Sequence, residues 1–264
     1  MDTIFLVKIA LSFFIGGSWV VLATHLADKL GSKIGGLITG LPSTLLFGLF
    51  FLGWTQSSQA AVTATSITPL VGGISSLFLA IYVATISFGL VWALGISIVS
   101  WVTLTFIALK LPIHNYYSLF LVYFLLTLLT FLYMENIAKV RAVAGKKIVY
   151  SRSTLILRGL LSGLIIASSV VLGKVSGPLL GGVLALFPAM FTSTLAISYL
   201  SHGAEFSKSL AKSALLASIS IIVYSVVVRF TYIPLGIVVG TLISAAVSTT
   251  TGYLLFRFAI SRMT

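Results

Sequence analysis

Long apolar runs dominate this sequence and restrict the folds open to it. Stretches of roughly 18–25 residues carry almost no charge, and each can cross a hydrocarbon layer of about 30 Å as a helix. Of the 264 residues, 59% are hydrophobic and only 8% are charged, too few to coat a soluble core of this size. Lipid offers the backbone no hydrogen-bond partners, so the spans must form helices. The sequence therefore predicts an all-α polytopic membrane protein embedded in a lipid bilayer.

Hydropathy divides the chain into nine predicted transmembrane helices. They cover residues 4–26, 34–54, 66–86, 88–110, 116–134, 154–174, 178–200, 208–229 and 234–257. An odd number of crossings puts the two termini on opposite sides of the membrane. With the N-terminus outside, twelve of the sixteen Lys and Arg residues face the cytoplasm, and the other four are Lys8, Lys110, Lys174 and Arg229. We therefore expect a multi-pass plasma-membrane protein with its N-terminus outside and its C-terminus in the cytoplasm.

The sequence also contains an internal repeat. Residues 16–48 align without a gap on residues 162–194, at an offset of 146. Four Gly–Gly coincidences occur in this window, where the 23 glycines of the chain would give about 0.25 by chance. The identical pairs are Gly17/Gly163, Leu26/Leu172, Gly31/Gly177, Gly35/Gly181, Gly36/Gly182 and Pro42/Pro188.

This repeat predicts three parts of the chain. Residues 1–112 hold a first four-helix copy, residues 113–153 a linking transmembrane helix and a basic cytoplasmic loop, and residues 154–264 a second copy. Four crossings return the chain to its starting side, and the fifth then inverts the second copy. We therefore expect an inverted 4+1+4 repeat.

Each copy interrupts an apolar helix near mid-depth. The stretches GGLITGLP (35–42) and GGVLALFP (181–188) both end in a proline, which removes a backbone hydrogen bond and kinks a helix. Paired interruptions at equivalent positions are typical of a transporter's midplane site. The hydroxyl residues that follow would begin a second half-helix, whose free N–H groups favour an electron-rich ligand. The predicted substrate-binding residues are Pro42, Ser43, Thr44, Pro188, Thr192 and Ser193.

Simpler interpretations of these residues stay open. Small residues in membrane helices most often allow close packing. We therefore expect Gly35, Gly36, Gly181 and Gly182 to act in helix breaks or in packing. The prolines can also kink a helix without contacting any ligand.

Three further polar residues are candidates for coupling or gating. His25 and Asp28 lie three apart near the inner end of the first helix, where they could form a proton-responsive pair or an ordinary polar helix end. Arg158 lies about a turn inside the sixth helix. It could offer charge to an anion or extend to the inner interface.

The second copy resembles a known family. The stretch GGVLALFPAMFTSTLAISYLSHGAEFSKSLAKSALLAS (181–218) is similar to small four-helix bacterial inner-membrane proteins of the GlpM type. The resemblance implies a fused pair of four-helix units and says little about substrate. The plan also resembles fused two-domain fluoride channels, by architecture alone.

These features predict a membrane transporter or facilitator that moves a small polar or anionic solute through a site between the two copies. An anion-type channel of dual-topology architecture is the alternative, followed by a lipid-handling or scaffold protein. The chain has no cysteine, three scattered histidines and no nucleophile paired with a base at depth. We expect no enzymatic activity, no metal, no cofactor and no nucleic-acid partner, and a homo-oligomer is compatible with the sequence.

Overall fold

A computed structural model describes residues 3–29, 42–111, 115–141, 143 and 150–263, with the side chains of 27–29, 256 and 258–263 excepted. Every regular element in these ranges is helical, which confirms the all-α class. The helices are α1 (Thr3–Lys29), α2 (Ser43–Thr55), α3 (Ser58–Ala64), α4 (Thr68–Thr85), α5 (Leu90–Lys110), α6 (Tyr116–Leu132), α7 (Arg152–Val175), α8 (Pro178–Ala185), α9 (Ala189–His202) and α10 (Ala204–Met263). A π-helical turn, Tyr133–Ile137, extends α6.

Seven helical segments in the described part of the chain are long and apolar enough to cross a membrane. They are Thr3–Leu26, Ser58–Phe88, Leu90–Lys110, Tyr116–Ile137, Arg152–Val175, Pro178–His202 and Ala204–Leu255. The chain is therefore a multi-pass membrane protein. Two of the nine predicted helices fall inside the last of these segments, and the predicted helix 34–54 is described only from Pro42 onward.

The last segment folds back on itself. At 52 residues it would extend for about 78 Å as a straight helix, more than twice the hydrocarbon thickness of about 30 Å. Gly236 has a φ of 76°, a conformation that suits a residue without a Cβ. Tyr232 Oη lies 2.7 Å from Thr241 Oγ1, and Ser248 Oγ donates to the Ser220 carbonyl at 2.7 Å. The two arms of α10, 204–235 and 237–263, therefore run antiparallel.

Helices α1 and α7 pack against each other through glycines. A Cβ on Gly17 would lie 2.6 Å from the Gly159 carbonyl oxygen, and a Cβ on Gly163 would lie 2.6 Å from the Phe13 carbonyl oxygen. Residue numbers rise along one helix as they fall along the other, so α1 and α7 are antiparallel. Small residues at four-residue spacing, here Gly159 and Gly163, allow such close backbone approach.

The inner helices surround a second antiparallel contact. Tyr82 on α4 hydrogen-bonds Ser207 on α10, and Arg229 Nη1 donates to Ser66 Oγ at 3.0 Å, just before α4 begins. The first arm of α10 therefore runs opposite to α4. The main apolar core lies around these helices and α2. Large apolar side chains along α1, α5 and α6 are exposed, including Phe14, Trp92 and Phe124, and they form the lipid-facing surface.

Replacing Gly163 by alanine should loosen the contact between α1 and α7. The added carbon would lie 2.6 Å from a backbone oxygen, so the helices must separate. We expect a loss of about 1–3 kcal/mol in stability, read as a lower midpoint of thermal unfolding in nanodiscs. Gly95→Ala on α5 is the matched control, because no atom lies within 4 Å of its added carbon. Equal midpoints for the two variants would contradict the packing described above.

Candidate functional site

Pro42 and Pro188 occupy equivalent backbone positions. Each is the N-cap of a helix, with φ and ψ of −74° and 51° at Pro42 and of −77° and 41° at Pro188. The Pro42 carbonyl accepts from the Leu46 N–H at 2.7 Å, and the Pro188 carbonyl accepts from the Thr192 N–H at 2.8 Å. Before Pro188, α8 ends at Ala185, so the seventh predicted helix consists of two half-helices.

The two prolines lie at one cavity. Its volume is about 50 Å³, which corresponds to roughly three to five water molecules. The start of α2, the break between α8 and α9, the middle of α4 and the first arm of α10 form its walls. The lining residues are Pro42, Ser43, Thr44, Leu45, Gly72, Ser75, Ala185, Leu186, Phe187, Pro188, Met190, Phe191, Ser218, Ile221 and Ile222.

The lining follows the repeat observed in the sequence. Ten of its fifteen residues form pairs that lie 146 positions apart: Pro42/Pro188, Thr44/Met190, Leu45/Phe191, Gly72/Ser218 and Ser75/Ile221. Three of the others, residues 185–187, would pair with residues 39–41, which lie outside the described ranges. Residues separated by the offset of the aligned stretches thus line one cavity with different side chains.

Helix α5 supports the polar wall of the cavity. Trp101 Nε1 donates to Ser75 Oγ at 3.0 Å, and Ser75 Oγ donates to the Val71 carbonyl at 3.0 Å. The Trp101 ring also packs edge-on against Phe187, with centroids 5.4 Å apart. This buried tryptophan thus fixes a residue on each side of the cavity. Trp101, Ser75 and Ser218 belong to no sequence motif, so the sequence does not predict their place at the cavity.

Arg158 is buried between helices and does not extend to the surface. Only 2% of the residue is exposed. Its Nη2 donates to Met190 Sδ at 3.5 Å, and its Cζ lies 5.0 Å from the centroid of the Tyr150 ring. Within the described residues, Nε and Nη1 have no hydrogen-bond partner. Because Met190 lines the cavity, the guanidinium is one side chain away from it.

The other predicted hydroxyls contact their own helix. Thr192 Oγ1 donates to the Pro188 carbonyl at 2.8 Å, and Ser193 Oγ donates to the Met190 carbonyl at 3.2 Å. Neither residue lines the cavity. Pro42, Ser43, Thr44 and Pro188 do line it.

The predicted coupling pair is described only in part. His25 is exposed on α1 and does not line the cavity. The side chain of Asp28 lies outside the described residues.

The glycine pair of the second copy permits close packing. Gly181 and Gly182 lie inside α8, and the helix ends only after Ala185. A Cβ on Gly181 would lie 2.8 Å from the Ser169 carbonyl oxygen, and one on Gly182 would lie 2.4 Å from the Ala64 carbonyl oxygen. The pair therefore lets α8 approach α7 and α3. Gly35 and Gly36 fall outside the described residues.

Comparison with known proteins gives a family match in the first part of the chain. Residues 9–114 match the model of a family described as a protein of unknown function (DUF3147). The match lies on the first half of the chain, whereas the GlpM-type resemblance concerns the second half. No curated protein and no solved structure matches the chain.

Replacing Trp101 by phenylalanine should weaken the cavity wall. The variant keeps an aromatic ring against Phe187 and loses the hydrogen bond to Ser75. We expect a loss of about 1 kcal/mol in stability, measured by thermal unfolding in nanodiscs. Trp92→Phe on the same helix is the control, since Trp92 is 67% exposed. If Trp101→Phe were as stable as Trp92→Phe, the hydrogen bond from Trp101 to Ser75 would contribute nothing measurable to stability.

Proposed function

We propose that this protein is a membrane transporter or facilitator that moves a small polar or anionic solute through the cavity between its two halves. The observation that carries the proposal is that one cavity is lined by residues beside both Pro42 and Pro188. Broken helices that meet near the bilayer midplane form the binding sites of many secondary transporters.

An inverted 4+1+4 repeat with nine crossings is part of this proposal. Helices begin at Ser43 and Ala189, and again at Ser58 and Ala204, each time 146 residues apart. Gly17 contacts Gly159, and Gly163 contacts Phe13. Gly163 lies 146 residues after Gly17, and Gly159 lies 146 residues after Phe13, so each contact is the repeat equivalent of the other. Counting the two arms of α10 separately, and α2 as part of a further crossing, gives nine.

The family match and the basic residues support the same arrangement. The match ends at residue 114, close to the predicted end of the first copy at 112. A fused pair of GlpM-type units fits this division. We place the N-terminus outside and the C-terminus in the cytoplasm of the plasma membrane, following the distribution of Lys and Arg. A homo-oligomer stays a prediction.

The proposed transport uses the half-helix ends and the hydroxyls around the cavity. The first turns of α2 and α9 direct N–H groups and the positive ends of their dipoles toward it. The hydroxyls of Ser43 and Thr44 can replace part of the solute's hydration shell. Ser75 Oγ donates its proton to the Val71 carbonyl and can only accept a hydrogen bond from a solute. Rocking of one half against the other would then open the cavity to alternate sides.

An anion channel is the second candidate. Phe187, Phe191 and Ile222 make much of the lining apolar, and an apolar constriction can gate a pore by excluding water. Flux separates the two functions, because a carrier saturates with modest turnover whereas a channel gives large unsaturated currents. A lipid-handling or scaffold protein would show neither.

Removing two cavity hydroxyls should reduce flux. We expect Thr44→Val combined with Ser75→Ala to slow solute uptake into proteoliposomes about tenfold or more, because the solute loses the Thr44 hydroxyl as a hydrogen-bond partner and the cavity wall loses the hydroxyl that holds Trp101. Uptake is measured for a panel of small anions and uncharged polar solutes. Thr85→Val, on the same helix as Ser75 and outside the cavity, is the matched control. Uptake by the double variant equal to that of Thr85→Val would exclude this cavity as the pathway.

A further inference from the structure

We propose that Arg158 is the anion-binding group of this cavity and that the ligand is a small planar oxyanion with a single negative charge, such as nitrate or formate. The binding site stands on its own geometry. Only the movement of the anion across the membrane rests on the proposed function.

Arg158 has no counter-charge in the described structure. The two described carboxylates are paired elsewhere, Glu135 with Lys212 and Glu205 with Lys208 at 2.8 Å. The sequence has only four Asp and Glu residues, and of the other two Asp2 lies outside the described residues. Asp28 is eleven residues beyond Gly17, the residue that packs against Gly159, which is about 16 Å along α1. Buried charges are normally paired, so an unpaired arginine in a membrane helix indicates a ligand.

The Arg158 guanidinium lies next to the start of α9. The guanidinium reaches Met190, the second residue of that helix, and Met190 itself lines the cavity. The N–H groups of Met190 and Phe191 belong to the first helical turn and have no intrahelical acceptor. A guanidinium and a helix N-terminus thus both lie beside Met190, which lines the cavity. Both favour negative charge.

The Met190 side chain can move away from the Arg158 guanidinium when a ligand binds. A thioether sulfur is a weak acceptor, and the methionine side chain is unbranched and flexible. An oxyanion would accept hydrogen bonds from the guanidinium fork far better than sulfur does, because the planar fork matches two oxygens at once. We infer that Met190 moves aside when an anion binds.

The size and the opposite wall of the cavity restrict the ligand further. A volume of about 50 Å³ admits roughly three to five non-hydrogen atoms, on the scale of the waters it could hold. One uncompensated positive charge favours a single negative charge. The position equivalent to Arg158 in the first copy is Ser12, whose hydroxyl donates to the Ile9 carbonyl at 2.7 Å. The positive charge therefore comes from the second copy alone, whereas the first copy contributes Ser43, Thr44 and Ser75 to the lining.

The test measures nitrate binding to the purified protein in nanodiscs, in a buffer whose only other anion is the bulky gluconate. Isothermal titration gives the dissociation constant. We expect Arg158→Gln to weaken nitrate binding by about tenfold or more, because hydrogen bonds to a charged group are lost. Arg158→Lys keeps the charge without the planar fork, so its nitrate affinity should lie between those of the unaltered protein and Arg158→Gln. Arg152→Gln removes the same charge from the exposed first turn of α7 and should bind like the unaltered protein.

A comparison of ligands covers the case in which the variants fail to fold. Urea has nearly the shape of nitrate without its charge, so the unaltered protein should bind nitrate and not urea. Equal binding of the two would overturn the proposal, as would unchanged nitrate affinity in Arg158→Gln. A second readout is thermal stability. Without nitrate, Arg158→Gln should unfold no lower than the unaltered protein, since it removes an unpaired buried charge, and added nitrate should raise only the midpoint of the unaltered protein.

The binding and transport proposals fail separately. If nitrate binds through Arg158 but does not enter proteoliposomes, the anion site is supported and the transport of this anion is contradicted. If the protein transports a solute but binds no nitrate, the anion site is contradicted and the proposed transport function is supported.

Discussion

A helix inside a bilayer can be interrupted only where other protein covers the freed backbone groups, and this constraint shapes the centre of the molecule. The break before Pro188 leaves carbonyls that accept short-range bonds, from Leu186 N to the Val183 carbonyl and from Phe187 N to the Leu184 carbonyl. Helices α4 and α10 shield the break from lipid. The interruption can therefore exist only in the interior, where it leaves a small cavity with N–H groups at its edge.

Two antiparallel contacts bring Pro42 and Pro188 to the same cavity. Glycines let α1 and α7 approach at backbone distance, and α4 lies against the first arm of α10 along a line from Ser66 to Tyr82. Residues 146 positions apart in the chain thus line the same cavity. Their side chains differ, because Thr44 corresponds to Met190 and Ser75 to Ile221.

The sequence located part of the candidate site and missed the rest for physical reasons. Pro42, Ser43 and Thr44 line the cavity because they begin a half-helix that points into it. Thr192 and Ser193 follow Pro188 in the same way, yet each hydroxyl bonds to a carbonyl one turn back. Helical periodicity did not separate these cases. Trp101 and Ser75 come from helices whose sequence shows no special pattern, and only their packing brings them to the cavity wall.

The sequence by itself determined that the chain is helical and crosses a membrane several times, because apolar runs of this length have no other stable form in lipid. It also located the helix break before Pro188, since proline has no backbone N–H for the helical ladder, whereas the glycine pair at 181–182 lies inside α8. Only the tertiary structure decided which residues meet at the cavity and where the Arg158 side chain lies. The same arginine could have reached the interface, and its burial beside Met190 depends on the close crossing of α1 and α7 and on the helices packed around it.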